Sequence, residues 1–100
     1  MLPLLDPVLH QQLRLAVMSL LLARQQADFS YLMAETGATK GNLSVQLRKL
    51  EEAGYLSITK KGAGPASRTT CMITTEGIDA FERYVNAIDQ YVNQARNSGE

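Results

Sequence analysis

Hydrogen-bonding side chains are concentrated between Thr39 and Gly54, where the sequence reads TKGNLSVQLRKLEEAG. Side chains with amide, hydroxyl, amine and guanidinium groups are the ones that bind phosphates and base edges. Leu43, Leu47 and Leu50 recur among them at helical spacing and form one narrow apolar stripe. Because Thr39 can cap a helix and Gly54 can end one, we predict a helix with an apolar back and a hydrogen-bonding front. Such a helix is suited to the major groove of DNA.

The two halves of this predicted front would meet different parts of a duplex. Its early turns carry the candidates for base edges and adjacent phosphates, whereas Arg48 and Lys49 are candidates for phosphates. Thr39 and the free amides of the first turn can also hold a phosphate. A solvated, charged helix face is the alternative for this stretch on its own. The base-edge candidates are Lys40, Asn42, Ser44 and Gln46, and the amides of Asn42 and Gln46 can pair bidentately with adenine.

Charge is unevenly distributed along a chain whose 10 basic and 10 acidic residues balance. Residues 39–68 carry six basic residues against Glu51 and Glu52, and the rest of the chain carries four against eight acids. Zero net charge counts against a nucleic-acid partner, whereas a basic segment between acidic flanks favours one.

A β-hairpin is predicted after this helix, over residues 55–74. Apolar and polar residues alternate over 55–61, residues 62–67 have the composition of a loop, and β-branched residues return over 68–74. The tip of this hairpin is bracketed by basic side chains that would contact the neighbouring DNA backbone or enter the minor groove. These are Lys60, Lys61 and Arg68.

Two helices are predicted before the polar one. Asp6 and Pro7 favour the start of a first helix over 7–25, which is apolar over most of its circumference and therefore needs more than one neighbour. Asp28 can cap a short second helix over 29–35, and a glycine-containing turn joins it to the third. Residues 28–54 therefore have the pattern of a helix-turn-helix.

The last predicted helix, over 75–96, carries a long apolar seam with alternating spacings of three and four residues. We expect it to pair with a second copy of the chain, and packing against its own first helix is the alternative. The predicted dimer interface contains Val8, Leu15, Met18, Leu22, Ile78, Phe81, Val85, Ile88 and Val92.

The order α-α-α-β-β-α predicts a winged helix-turn-helix, mainly α with a small β-hairpin wing, as a single domain over residues 1–100. With these elements in place, the sequence resembles the small winged-helix transcriptional regulators near the MarR and ArsR families. The resemblance is carried by LDPV at residues 5–8, GNLS at 41–44 and LRKLEEAGYL at 47–56, with RTT at 68–70. It implies a homodimeric DNA-binding repressor or activator whose terminal helices form the dimer interface. Two positions depart from that pattern: Cys71 stands where an aromatic residue is common, and Met72 where a polar one is usual.

Other kinds of chemistry find little support in the sequence. It contains no nucleophile with a plausible base and no phosphate loop, so we do not expect an enzyme or a cofactor. Cys71 is interpreted as a core thiol rather than a redox sensor, since it is on the inward side of a predicted strand and Arg68 is the one basic residue near it in sequence. His10 is interpreted as structural, and neither residue belongs to a cluster with metal-ligand spacing. Met18, Tyr84 and Tyr91 either pack at the interface or line a pocket for a small-molecule effector that the sequence does not identify.

The expected partners are double-stranded DNA and a second copy of the chain. No apolar run approaches the roughly 20 residues needed to cross a bilayer, and a single cysteine fits a reducing compartment, so we expect a cytoplasmic protein. The competing interpretation is a winged-helix adaptor that binds proteins and not DNA, because fold does not fix function.

Overall fold

The structure is a computed structural model that describes residues 1–98, without the side chains of Ala66 and Ser98; residues 99 and 100 of the predicted domain lie outside it. A short 3₁₀ turn, Gly64–Ala66, interrupts the loop of the hairpin. The helices and strands described are α1 (Gln12–Arg24), β1 (Gln26–Asp28), α2 (Phe29–Thr36), α3 (Lys40–Glu52), β2 (Leu56–Lys61), β3 (Arg68–Ile73) and α4 (Thr75–Ser98).

The core lies between the first three helices and the sheet, and it confirms the winged-helix fold. The predicted leucine stripe of α3 faces inward, since Leu43 and Leu50 are fully buried and Leu47 nearly so. They pack in one cluster with Met18 and Leu21 of α1. Burial of each such side chain stabilises the fold by roughly 1.5–3 kcal/mol, so α3 is fixed by its apolar side and its polar side is left outside.

The wing, which comprises β2, β3 and the loop between them, is part of a three-stranded antiparallel sheet in the order β1-β3-β2. Strand β1 is absent from the sequence-based prediction. Its three residues, QAD, have no strand propensity of their own, and they form a strand because they pair with β3, with Ala27 opposite Cys71.

The first helix begins at Gln12, so its predicted start at residue 7 is wrong. Asp6 does begin a turn, because its Oδ1 accepts a hydrogen bond from the amide of Val8 at 2.9 Å. The guanidinium of Arg14, however, donates from Nε to the carbonyl of Val8 at 2.6 Å. This contact holds the turn before α1, in which the amide of Gln11 donates to the carbonyl of Leu9 at 2.8 Å. Gln11 is the N-cap instead, and its Oε1 accepts from the amide of Arg14 at 2.7 Å.

The last helix is capped by Thr74, whose Oγ1 accepts from the amide of Gly77 at 3.0 Å. Its first turn passes directly against the chain that enters β2. The side of α4 that faces the core carries Ala80, Tyr84 and Ala87, which are all buried. The predicted seam is therefore not the side of α4 that packs most closely on its own domain.

Candidate nucleic-acid interface

The exposed side of α3 carries most of the predicted DNA contacts. Thr39 caps the helix as predicted, since its Oγ1 accepts from the amide of Asn42 at 3.2 Å. The remaining amides of the first turn point out of the helix, where they and the positive end of the helix dipole favour an anion. The side chains exposed on this helix include Lys40, Asn42, Ser44, Arg48 and Lys49.

Gln46 does not belong to this exposed set, so the prediction that it lies on the hydrogen-bonding front is wrong. It is 9% exposed, and both ends of its amide are engaged within the protein. Its Oε1 accepts from Nη1 of Arg14 at 2.5 Å, and its Nε2 donates to Oδ1 of Asn42 at 3.1 Å. The partner on α1 is 32 residues away in sequence, so helical spacing alone could not reveal this contact.

The wing presents its basic side chains to solvent. Lys60 and Lys61 are exposed at the outer end of β2, and Lys61 is opposite Arg68 in the register of the hairpin. Arg68 Nη1 lies 3.7 Å from Oδ2 of Asp28, an exposed ion pair that contributes little to stability.

A cleft of about 1120 Å³ separates α3 from the wing. Lys40 and Arg48 line it on the side of α3, and Lys60 and Arg68 line it on the side of the wing. Two acids, Asp28 and Glu51, also line it. The arrangement favours phosphates at the rims of the cleft over phosphates close to its acidic groups.

Cys71 is fully buried, which fits a core thiol. Burial, and secondarily the charge of Glu51, raise the pKa of its thiol to about 11, so the reactive thiolate is scarce at neutral pH. The ring of His10 is hydrogen-bonded through Nδ1 to the hydroxyl of Tyr84 at 2.8 Å. Within residues 1–98, no group of three or more His, Cys, Asp or Glu side chains is placed to hold a metal ion.

The three side chains that could line an effector pocket have other contacts. Met18 and Tyr84 are buried in the core. The hydroxyl of Tyr91 donates to the carbonyl of Pro3 at 2.6 Å, which fastens the N-terminal segment onto α4. Burial and this hydrogen bond therefore favour a packing role for all three side chains.

The residues predicted for a dimer interface fall into three groups. Met18 is completely buried within its own chain, so its assignment to the interface is wrong. Val8, Leu15, Phe81 and Ile88 are half-buried against the core. The remaining four are 39–43% exposed, and they are Leu22 on α1 together with Ile78, Val85 and Val92 on α4.

A family model described as a winged helix DNA-binding domain matches residues 13–92, which include α3, the wing and most of α4. The chain belongs to this family. An uncharacterized protein of Methanocaldococcus jannaschii is 31% identical over 83 residues, which cover 83% of this winged-helix chain and 90% of that protein.

Solved structures agree with the family. A transcriptional regulator homologue from Pyrococcus horikoshii is 30% identical, with a TM-score of 0.81 over 88% of this chain and 87% of its own. An ArsR family transcriptional regulator shares the fold at 23% identity, with a TM-score of 0.62 over 86% of this chain and 84% of its own. The winged-helix family expected from the sequence is thereby confirmed, and the fold is shared with an ArsR family regulator. DNA binding in transcriptional regulation is the general function of the family. Within residues 1–98, no helix is both long enough and apolar enough to span a membrane.

Proposed function

We propose that this chain is a sequence-specific regulator of transcription that binds double-stranded DNA as a homodimer on a pseudo-palindromic operator. The observation that carries the proposal is the division of α3 into a buried leucine side and an exposed donor-rich side. The exposed side shares one cleft with the basic residues of the wing, so helix and wing can contact one duplex together.

Each element has its own task in the proposed complex. The first turns of α3 enter the major groove, the N-terminus of α3 binds a phosphate, and the wing contacts the adjacent backbone or minor groove. The ion pair of Arg68 with Asp28 leaves the guanidinium available to DNA, because the pair is exposed and weak. The proposed DNA contacts are Thr39, Lys40, Asn42, Ser44, Arg48, Lys49, Lys60, Lys61 and Arg68.

A second copy of the chain is the proposed partner of the exposed apolar stripe on α4, formed by Ile78, Val85 and Val92. These three valine and isoleucine side chains are 40–43% exposed and recur every seven residues, which is the spacing of a helix-pairing seam. A two-fold dimer through this stripe would place two α3 helices for half-sites about 34 Å apart.

Selection of bound sequences from a random duplex pool tests the proposal. We expect an inverted repeat whose half-site centres are separated by about 10 base pairs, one turn of DNA, or a multiple of it. Replacing Arg48 with Ala should weaken recovery, while replacing Arg96 with Ala, near the far end of α4, should not. Failure of the wild-type protein to enrich any sequence would contradict the proposal.

A protein-binding adaptor is the second candidate, and two observations favour it: the zero net charge and the acids Asp28 and Glu51 in the cleft. A heparin column distinguishes the two functions because heparin is a polyanion. Retention with elution by moderate salt supports the DNA-binding function, whereas passage without retention supports the adaptor.

A further inference from the structure

A chain of polar contacts connects α1 to the exposed side of α3. Nη1 of Arg14 donates to Oε1 of Gln46 at 2.5 Å, and Nε2 of Gln46 donates to Oδ1 of Asn42 at 3.1 Å. Asn42 is exposed in the first turns of α3, whereas Gln46 is almost completely buried. This series of polar contacts therefore begins inside the protein and ends at the surface proposed to bind DNA.

The direction of every hydrogen bond in this chain is fixed by its first member. A guanidinium has only donors, so the amide of Gln46 must turn its oxygen toward Arg14. The nitrogen of Gln46 then points to Asn42, which must accept the hydrogen bond with its own oxygen. Oδ1 of Asn42 is consequently held toward Gln46, and the two N–H donors of Nδ2 are the groups of this amide that remain without a partner in this series of contacts. Reversing either amide would place two donors against each other in a nearly buried site, which is costly.

Arg14 is itself held in place by the backbone. Its Nε donates to the carbonyl of Val8 at 2.6 Å, and its Nη2 donates to the carbonyl of Pro7 at 3.3 Å. Together with Gln46, acceptors from two different segments thus orient one guanidinium, and they hold the turn before α1 in its observed form. The donor that sets the direction of the chain cannot rotate away without breaking these hydrogen bonds.

We propose that Arg14, acting through Gln46, is a positioning residue that makes Asn42 a hydrogen-bond donor toward DNA. This inference rests on the proposed function. In the major groove, guanine offers two acceptors, O6 and N7, whereas the edge of cytosine offers only the donor N4. Adenine and thymine each offer one acceptor, N7 and O4, so Asn42 selects an acceptor edge and prefers guanine, which alone offers two. The bidentate contact with adenine expected from the sequence is disfavoured, because Gln46 already takes one of the two lone pairs of the oxygen that it needs and fixes the direction of that oxygen.

Replacing Gln46 with Glu reverses the direction of the hydrogen bond between residues 46 and 42, and this change tests the inference. A carboxylate accepts from Arg14 with one oxygen and from Asn42 with the other, so the amide of Asn42 must turn over and expose Oδ1. Sequences are selected from a random duplex pool with the wild type, Gln46→Glu and Asn42→Ala. Gln90→Glu, the same chemical change at an exposed position of α4, is the matched control.

The expected result is a preference for guanine at one position of each half-site, by roughly tenfold for a good base contact. That preference should disappear in Asn42→Ala, change to cytosine or adenine in Gln46→Glu, and persist in Gln90→Glu. If these polar contacts had a purely structural role, Gln46→Glu would lower the affinity for DNA without changing the preferred base.

Two outcomes would overturn the inference in distinguishable ways. If the wild type enriches a sequence and Gln46→Glu enriches the same one, the proposed function stands and the role of Arg14 is wrong. If the wild type enriches no sequence, both are wrong. Should Gln46→Glu lose its cooperative unfolding transition, Gln46→Met decides, because it fills a similar space and leaves the amide of Asn42 free to turn either way. Loss of the preference for guanine over adenine supports the inference, and an unchanged preference overturns it.

Discussion

Helices α3 and α4 start in the same way and differ in what surrounds them. Each is capped by a threonine hydroxyl that accepts from the amide three residues later, Thr39 for α3 and Thr74 for α4. Each has a glycine in its first turn. A Cβ added at Gly41 would meet nothing within 4 Å, whereas one added at Gly77 would lie 2.1 Å from the carbonyl oxygen of Tyr55. The same local signals thus serve an open helix and a helix pressed against its own domain.

The two helices also differ in which side is left for a partner. In α3 the apolar side is satisfied inside the domain, so a polar surface remains. In α4 the buried side is formed by Ala80, Tyr84 and Ala87, and an apolar stripe remains outside. Polar surface suits a hydrated, charged ligand such as DNA, whereas apolar surface gains free energy by meeting another apolar surface.

The largest effect that we predict is at the first turn of α4. Gly77→Ala should lower the free energy of unfolding by about 3 kcal/mol or more, because the added methyl overlaps a backbone oxygen and the helix must move. Gly41→Ala is the matched control in α3 and should be neutral or stabilising by roughly 0.5–1 kcal/mol, since alanine restricts the unfolded chain.

Urea denaturation of the two alanine variants measures this contrast directly. Equal changes in the midpoint would mean that the two helix starts have the same surroundings, which would contradict the packing of α4 on the segment at Tyr55.

The next effect concerns the exposed apolar stripe of α4. Val85→Asp should raise the dissociation constant of the dimer at least about tenfold, since a two-fold interface loses the remaining burial of two half-exposed valines, roughly 0.7 kcal/mol each, and receives two charges. Stability of the monomer should change little, because Val85 is 43% exposed in it. Sedimentation velocity gives the constant, and Asn86→Asp, at the adjacent exposed position, controls for the added charge. A wild-type protein that sediments as a monomer at micromolar concentration would refute the dimer.

Local signals were sufficient for most of this fold. The leucine stripe and Thr39 cap of α3, the alternation of the wing and the start of α4 are all properties of short segments, and each is observed as predicted. The exposure of most site residues is predictable for the same reason, because donors on a helix with a buried apolar side have only the other side to occupy.

The errors are at positions decided by contacts between distant segments. Strand β1 exists through pairing with β3, and the turn before α1 is held by Arg14, whose Nε donates to the carbonyl of Val8. Gln46 is polar and correctly spaced for the exposed side, yet Arg14 holds it inside. On α4, two apolar stripes compete, and the one with Tyr84 is the one that packs on the core.

The smallest effect that we predict appears at alkaline pH. Burial, assisted by the hydrogen bond to Asp6, raises the pKa of Tyr55 to about 12 from 10.0, and burial raises the pKa of Cys71 to about 11 from 9.0. Both groups are favoured in their neutral forms by folding, so the folded state holds protons that the unfolded state has released. The stability that these groups contribute is complete below pH 9, and it declines progressively as the pH rises toward 11 and 12.

Urea midpoints measured at about pH 8 and about pH 10.5 test the sign of this dependence. Tyr55→Phe should be destabilised less than the wild type between these two values, because the phenol no longer titrates. Parallel decreases in the two proteins would show that Tyr55 makes no contribution.

Titration of a fluorescent duplex over a range of salt concentrations tests most directly whether α3 and the wing together bind DNA. We expect log affinity to fall linearly with log salt, and Lys60→Ala combined with Lys61→Ala to weaken binding to every duplex. The double variant should reduce the slope by about 0.9 for each phosphate that the protein no longer neutralises, while Arg96→Ala leaves the slope unchanged. An unchanged affinity and slope in the lysine variant would remove the wing from the interface and contradict joint binding by α3 and the wing.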